Sequence, residues 1–309
     1  MTVNPPFISS LAVTNFPALA KIKYGKTTGH THFYLAAAEI IEHFLGSEWT
    51  NKQLLPGKGD RYLNPSLISD EDANLHFYRV INLAEHLINL QGVVNFASII
   101  DCIRPRRDFE SSMAELEVAQ VLARQGLAFE FVKPSGVAGQ DYDFQIDFEG
   151  YSVCADVKCK IDSTKFSVKS IINSIKKARA KNLPKHQPGM VFIKAPDKWF
   201  EQTNFTLMSQ AESGISTYLE STETVVGVCL YAHKFIYASD ASGGFMTWTT
   251  VLNKNSRLFD IRLELLDKLD ASSAWISLYR VWGLAAPHRD RQIAQLIAKG
   301  RTEARSGHN

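Results

Sequence analysis

Three side chains that could do chemistry lie on two consecutive predicted strands: Asp143 on the first, and Asp156 and Lys158 on the second. Successive side chains of a strand point to opposite faces, so the apolar residues between these positions face a core and the three polar ones share the other side. Two carboxylates and an ammonium group placed together could bind a divalent cation and stabilise negative charge on a phosphate.

The register of the two strands brings the carboxylates together. A two-residue turn at Glu149-Gly150 pairs Phe148 with Tyr151, and the same register places Asp143 directly opposite Asp156, with the two side chains about 5 Å apart. Like charges at such a position destabilise a sheet unless a cation offsets them. Mg²⁺ prefers one or two carboxylates plus waters and phosphates, so it suits this incomplete site. A turn one residue longer would shift the pairing.

A predicted helix upstream offers a third carboxylate. Residues 112–125 have a buried stripe and end at Gly126; the stripe consists of Met113, Leu116, Val118, Ala119 and Leu122. Glu115 lies just beside the stripe, where a helix packed on the two strands could direct it toward a metal. Glu117 is the alternative.

A basic segment follows the second strand. Residues 158–185 contain nine Lys or Arg against one Asp, whereas residues 101–157 contain eleven Asp or Glu against five Lys or Arg. A helix predicted over about 167–182 would present Lys169, Lys176 and Lys177, and Lys160 precedes it. These four lysines are candidate contacts to nucleic-acid phosphates, which are bound without reading sequence. A plain solvated helix face explains them equally well.

The order Glu115, Asp143, Asp156-Val157-Lys158 resembles the PD-(D/E)XK nuclease superfamily, whose core has the restriction-endonuclease-like fold. The resemblance covers roughly residues 109–196 and includes the order helix, strand, hairpin, helix and strand. It implies that Glu115, Asp143 and Asp156 bind Mg²⁺, with Mn²⁺ as a substitute, and that Lys158 assists the attacking water. Two positions depart from the usual pattern, because Tyr142 replaces Pro and Asp156 replaces the commoner Glu.

The rest of the chain is predicted to flank this core. The fold class is α/β, with a mixed central sheet flanked by helices, and Gln145 and Lys160 are second-tier site candidates. Residues 1–105 form a mostly helical region, with helices at 32–45 and 70–90, and 106–200 form the nuclease-like core. Residues 201–309 form a mixed α/β extension packed on the core, with a helix at 206–219, strands at 224–231, 235–238, 245–252 and 274–281, and a helix from about 290.

Composition excludes several classes of protein. The 309 residues are 45% hydrophobic and 21% charged with a net charge of +2, which excludes disordered and fibrous classes. No apolar run reaches the roughly 18 residues of a membrane span, and the first residues lack a secretion-signal layout, so we expect a cytoplasmic protein without a membrane partner. The four cysteines are expected to be reduced. The oligomeric state is left open, with a homodimer as one option.

Three functional hypotheses follow from these residues. The first is a Mg²⁺-dependent nuclease acting on DNA. The second is a nucleic-acid-binding or protein-interaction scaffold that keeps the fold without cleaving. The third is a structural module in which the acids and lysines only pair with one another, because an isolated Asp-x-Lys is usually an exposed ion pair on a half-solvated strand.

Overall fold

The computed structural model describes residues 8–25, 30–54, 59–64, 69–106, 108–148, 150–200, 205–237, 242–256 and 275–284. The helices are α1 (Ser10–Val13), α2 (Phe16–Tyr24), α3 (Thr31–Leu45), α4 (Ser47–Leu54), α5 (Asp70–Leu90), α6 (Phe96–Ile103), α7 (Phe109–Arg124), α8 (Val168–Lys177), α9 (Phe205–Leu219) and α10 (Leu278–Val281). The strands are β1 (Ala128–Phe131), β2 (Phe144–Phe148), β3 (Tyr151–Cys159), β4 (Gly189–Lys194), β5 (Val225–Tyr237) and β6 (Ser242–Leu252). A π-helical turn covers Ala178–Asn182, and a short 3₁₀ helix covers Asp197–Phe200.

The six strands form one mixed, open sheet in the order β1-β2-β3-β4-β5-β6. β1 and β2 pair antiparallel, as do β2 and β3; β3, β4 and β5 run parallel to one another, and β6 returns antiparallel to β5. The chain is therefore an α/β protein, as its sequence predicts. Strands β5 and β6 extend the sheet that β1–β4 begin, so one sheet runs through residues 128–252.

Both faces of the sheet are buried. On one face, the side chains of Ala155 and Phe192 join a large core with α3, α5, α6 and α7. On the other face, Val191 and Ile193 join a second core with α8 and α9. The polar face of β3 therefore lies beneath a helix layer and is not half-solvated, which means that any charged group on it needs a partner inside the protein.

Side-chain caps explain where the main helices begin. The Ser69 hydroxyl accepts a hydrogen bond from Asp72 N at the start of α5, and the acidic residues 70–72 complement the positive end of the helix dipole. Asp108 caps α7 and Ser167 caps α8 in the same way. Gly126 follows α7 with φ +70°, a conformation that favours glycine and ends the helix where the sequence predicts.

The predicted hairpin register is confirmed. Phe148 pairs with Tyr151, and the ladder continues to Phe144 opposite Ala155. β2 begins at Phe144, so the ladder ends one pair before the predicted pair of Asp143 with Asp156. The helices predicted at 32–45, 70–90 and 206–219 are also confirmed. The helix predicted over 167–182 is α8 followed by the π-helical turn. The runs predicted at 224–231 and 235–238 are joined in the single strand β5, Val225–Tyr237, and residue 238 lies outside the described residues.

The strand predicted at 274–281 is wrong. Residues 275–277 have no regular secondary structure, and α10 begins at Leu278. Side chains of α5 replace the strand partner: Asn89 Oδ1 accepts from Ile276 N at 2.6 Å, Asn89 Nδ2 donates to Ile276 O at 2.9 Å, and Glu85 Oε1 accepts from Leu278 N at 2.7 Å. These bonds satisfy backbone groups that would otherwise need a β ladder.

Three further expectations concern the C-terminal helix, the cysteines and membrane-spanning segments. The helix predicted from about residue 290 lies outside the described residues. All four cysteines are free thiols; Cys154 and Cys229 are buried, and Cys102 and Cys159 are partly buried. No helix within the described ranges combines the length and the apolar character needed to cross a membrane.

Replacing Asn89 by Ala should destabilise the fold by about 1–3 kcal/mol, because it leaves the partly buried backbone groups of Ile276 without these partners. Asn74→Ala is the matched control. Asn74 lies on the same helix and donates only to Asp70 O, at 2.7 Å on the exposed side. Urea unfolding monitored by tryptophan fluorescence gives both free energies, and equal losses in the two variants would show that the contact to Ile276 adds no stability.

Candidate functional site

The site lies where β2 begins. Asp143 N donates to Ala155 O at 2.9 Å, and Asp143 O accepts from Val132 N at 3.0 Å, so its backbone still lies between the two neighbouring segments. Beyond the last backbone pair, the side chain of Asp143 bonds to β3, where its Oδ2 accepts from Val157 N at 2.6 Å. This bond fixes the half-buried Asp143 carboxylate beside β3, at the point where Asp156 projects from that strand.

Asp156 is fully buried on the face of β3 that α8 covers. Its Oδ1 accepts from Asn182 Nδ2 at 2.6 Å, and its Oδ2 forms an ion pair with Lys158 Nζ. Oδ2 has no hydrogen-bond partner. The carboxylate is therefore held in one orientation by Asn182 and is neutralised by the lysine two residues along the same strand.

The segment that carries Asn182 is attached to the loop before Asp143. Asn182 is the last residue of the π-helical turn, a feature that is often found at functional sites. Gly139 N donates to Lys181 O at 2.6 Å, and Asp141 Oδ1 accepts from Ser135 N at 2.6 Å and from Gly136 N at 3.1 Å. The bond from Gly139 connects the loop between β1 and β2 to the segment that orients Asp156, and the bonds to Asp141 hold the loop in shape.

Glu115 reaches the same place from α7. It is buried, and its Oε1 accepts from Arg106 Nη1 at 2.6 Å. Arg106 Nη1 also donates to Ser112 Oγ at 3.2 Å. The charges of Asp156 and Lys158 influence the pKa of Glu115, and the charge of Glu115 influences the pKa of Asp143, so Glu115 lies within electrostatic range of the other three predicted site residues.

Burial and neighbouring charges raise the pKa values of Asp143 and Glu115. Burial raises the pKa of Asp143 well above its usual range, and the charges of Glu115 and Asp156 add to this effect. Burial also raises the pKa of Glu115, against the opposing influence of Arg106 and Lys158. The three acids and two cations carry a net charge of −1 when all are ionised, and this excess of negative charge favours a further cation.

The oxygen donors suit a hard divalent cation, but the protein's own cations occupy them. No group of three His, Cys, Asp or Glu side chains within the described ranges is arranged as a ready-made metal site. Lys158 contacts Asp156, and Arg106 contacts Glu115. The mutual repulsion of the acids, and an Asp156 Oδ2 that is paired with Lys158 but accepts no hydrogen bond, fit Mg²⁺ or Mn²⁺ chemically. Binding would require at least one of the two resident cations to move.

The basic residues differ in their surroundings. Lys169 and Lys177 are exposed on α8, and exposed Lys176 places its ammonium 5.9 Å from the centre of the Tyr218 ring. Lys160 Nζ instead donates to Ser174 Oγ at 2.7 Å and to Ser170 Oγ at 3.0 Å. Its ammonium group is therefore used within the protein, where it ties α8 to the end of β3.

The second-tier candidate Gln145 lies behind the acids. It pairs with Cys154 across the ladder, one position deeper than Phe144. Its Oε1 accepts from Tyr142 OH at 2.6 Å, and its Nε2 is buried without a partner. Gln145 is therefore held by Tyr142 beside Cys154 on the hairpin.

Glu117 belongs to a different cluster. It is fully buried, and its Oε1 lies 2.9 Å from Lys194 Nζ and 3.0 Å from His233 Nδ1. Tyr78 OH lies 2.6 Å from His233 Nε2. Lys194 and Cys159 are neighbours across β3 and β4, so this cluster lies on the opposite face of the sheet from Asp156.

Sequence reasoning missed Arg106 and Asn182. Arg106 precedes α7 and reaches back to Glu115, and no residue pattern indicates that a loop arginine will turn in this direction. Asn182 lies two residues before Pro184, and the sequence predicts it only as the end of a helix. The π-helical turn, which no periodicity predicts, is what directs Asn182 toward Asp156.

This arrangement could bind a divalent cation, orient a water molecule and neutralise a phosphate. The acids supply oxygen ligands, and the two cations at the rim are partly open to solvent, with side-chain exposures of 19% for Lys158 and 36% for Arg106. Comparisons of the chain with protein-family models, curated proteins and solved structures give no match.

Glu110 gives a pH-dependent test of the Glu117 cluster. Glu110 is buried with its Oε1 unpartnered, and burial raises its pKa to about 7. Lys194 and Arg79 oppose the rise, whereas Asp162 and Glu117 reinforce it. Because the folded pKa exceeds the ordinary 4.5, the folded state binds the proton more tightly, so the stability lost above pH 7 returns as the pH falls toward 4.5.

Glu110→Gln should therefore raise the free energy of unfolding at pH 8 by up to about 3 kcal/mol, with the gain shrinking as the pH approaches 5. Glu48→Gln, at an exposed site on α4, is the control and should change little at any pH. Urea unfolding at pH 8, 6.5 and 5 measures both. A constant gain across this range would mean that charge on Glu110 does not destabilise the folded protein.

Proposed function

We propose that this chain is a metal-dependent nuclease that hydrolyses phosphodiester bonds, with DNA as its substrate and Mg²⁺ as its cofactor. One observation carries the proposal: the Asp143 carboxylate at the start of β2 is bonded to Val157 N, between Asp156 and Lys158 of β3, and the charge of Glu115 from α7 acts on this group. Mn²⁺ would substitute for Mg²⁺, because both favour carboxylate and water ligands.

The arrangement of elements supports a restriction-endonuclease-like core. α7, β1, β2, β3, α8 and β4 follow one another in the order helix, strand, hairpin, helix and strand. β4 lies beside β3 and runs parallel to it, with helices on both faces of the sheet. Because functions differ widely within one fold, the residues of the site carry more weight than this order.

Each site residue has a role in the proposed reaction. Asp143, Asp156 and Glu115 would hold the metal, which when bound lowers the pKa of water and polarises a phosphate oxygen. Lys158 would orient the attacking water and stabilise the negative charge that develops on the non-bridging oxygens. Asn182 keeps the Asp156 carboxylate in a single orientation, so that the ligand is already in place when the metal arrives.

The exposed lysines of α8 support a polyanionic substrate. Lys169, Lys176 and Lys177 form a cationic face. The bonds from Lys160 to α8 hold this helix on the side of β3 that carries Asp156. Contacts of lysine with backbone phosphates would position a nucleic acid over the acids without selecting its sequence.

Asp156→Asn should abolish Mg²⁺-dependent DNA cleavage, with a loss of at least about a hundredfold, because it removes a buried ligand while keeping the side-chain shape. Asp147→Asn is the matched control. Asp147 lies on β2, and it is exposed. Cleavage of plasmid and single-stranded DNA with Mg²⁺ or Mn²⁺ measures the effect, with circular dichroism as the test of folding. Full activity in folded Asp156→Asn would contradict the proposal.

The double change Lys169→Gln with Lys177→Gln should weaken DNA binding and reduce the slope of log K against log salt by about 2, since two phosphate contacts are lost. Lys52→Gln, at an exposed position of α4, should leave the slope unchanged. Fluorescence anisotropy of a labelled duplex in Ca²⁺, over a series of salt concentrations, gives the slopes. An unchanged slope in the double variant would mean that α8 is only a solvated face.

The ion pairs within the site favour a second candidate, a nucleic-acid-binding or protein-interaction scaffold without catalysis. Lys158 and Arg106 already neutralise Asp156 and Glu115, which would suffice if the acids were purely structural. The scaffold predicts salt-sensitive DNA binding that does not depend on Mg²⁺, and no heat when Mg²⁺ is titrated into the protein. Calorimetry and the cleavage assay together distinguish the two candidates.

A further inference from the structure

We propose that Arg106 is an exchangeable counter-ion of the acid cluster: it neutralises Glu115 until a divalent cation binds, and then transfers to the phosphodiester of the substrate. This inference rests on the proposed nuclease function for its second half. Its first half concerns only the binding of metal to the chain.

The position of Arg106 allows such a movement. It lies in the short segment between α6 and Asp108, the cap of α7, and its backbone N donates to Ile103 O at 3.1 Å. From this fixed point the guanidinium folds back onto α7 to contact Ser112 and Glu115. The Arg106 side chain is 36% exposed, whereas that of Glu115 is 9% exposed. A partly exposed cation therefore covers a buried carboxylate.

Comparison with the other buried ion pair on α7 shows why Arg106 is exchangeable. Lys194 and Glu117 are both enclosed, with side-chain exposures of 6% and 0%. Separating them would leave two buried charges unpaired, which is costly. Arg106 can swing into water at a smaller cost, because its side chain is already partly exposed to solvent.

The charges of the site match this exchange. The three acids with Lys158 and Arg106 carry −1 when all are ionised. One divalent cation would bring the group to +1, which complements the single negative charge of a phosphodiester. With a metal bound, Glu115 is neutralised without Arg106, and the resulting positive charge favours binding of a phosphate at the site.

The chemistry of the guanidinium selects phosphate as the new partner. Both hydrogen bonds of Arg106 leave from Nη1, to Ser112 Oγ and Glu115 Oε1. The planar fork of an arginine can donate two parallel bonds to the oxygens of one phosphate, which an ammonium group cannot do. The occupant after exchange is therefore a phosphate oxygen pair of the nucleic-acid backbone.

The test uses the full chain with Arg106→Gln and Arg106→Lys, and with Arg104→Gln as the matched control. Arg104 lies two residues earlier and forms an exposed pair with Asp101 at 3.1 Å. Titration calorimetry with Mn²⁺ alone should show about threefold to tenfold tighter binding in Arg106→Gln than in wild type, because a competing cation is gone. Arg104→Gln should match wild type, and Arg106→Lys should lie between wild type and Arg106→Gln or match wild type.

The efficiency of DNA cleavage should fall in the variant whose affinity for Mn²⁺ rises. Arg106→Gln should lower kcat/KM for DNA by about tenfold or more, mainly through a higher KM, and Arg106→Lys should also lose activity because it lacks the fork. Tighter metal binding combined with weaker cleavage is not expected from a merely structural residue, whose loss would weaken both.

Three outcomes would overturn the inference. Weaker Mn²⁺ binding in folded Arg106→Gln would show that Arg106 supports Glu115 and does not compete with metal, and unchanged cleavage would remove the phosphate contact. Absence of Mn²⁺ binding in wild type would end both halves. If wild type binds Mn²⁺ but cleaves no DNA, the nuclease proposal fails, while the calorimetric arm still decides whether Arg106 is a counter-ion. Thermal unfolding midpoints confirm that each variant is folded.

Discussion

The burial of the Asp156 carboxylate is the constraint on which the site depends. A charged group with no exposure to water must be paired and hydrogen-bonded, or the fold loses several kcal/mol. Lys158 supplies the opposite charge, and Asn182 supplies the hydrogen bond. The π-helical turn, the loop contact at Gly139 and the position of α8 all serve to place that asparagine. Asp143 is then fixed beside the same carboxylate by its bond to Val157 N.

α7 carries two buried acids, Glu115 and Glu117, whose ion-pair partners differ in exposure. Glu117 is enclosed with Lys194 and His233, whose influence lowers its pKa to about 2 although burial works in the other direction. Such a pair holds its charge permanently and ties α7 to β4 and β5. Glu115 has only a partly exposed partner, and its pKa is raised by burial. The first acid therefore stabilises one arrangement of the fold, whereas the second can change its partner.

Local rules in the sequence predicted most of the fold around the site. Strand alternation and the turn at Gly150 gave the register of β2 and β3, and the apolar stripe of α7 placed Glu115 at its edge. The failures have non-local causes. Residues 275–277 bind to side chains of α5 and not to a strand, and Lys160 bonds to serines of α8 instead of facing solvent. Arg106 and Asn182 act through contacts that only the assembled layers create.

The helix that would contact nucleic acid is also connected to the residue that orients a metal ligand. α8 carries the exposed lysines, Lys160 fastens its first turns to β3, and its C-terminal end continues into the turn that holds Asn182 against Asp156. The cationic face of α8 and the residue that orients the Asp156 carboxylate therefore belong to one continuous segment of the chain. In the proposed nuclease, this would make the position of the substrate and the geometry of the metal ligands interdependent, since the helix that carries the lysines continues directly into the turn that carries Asn182.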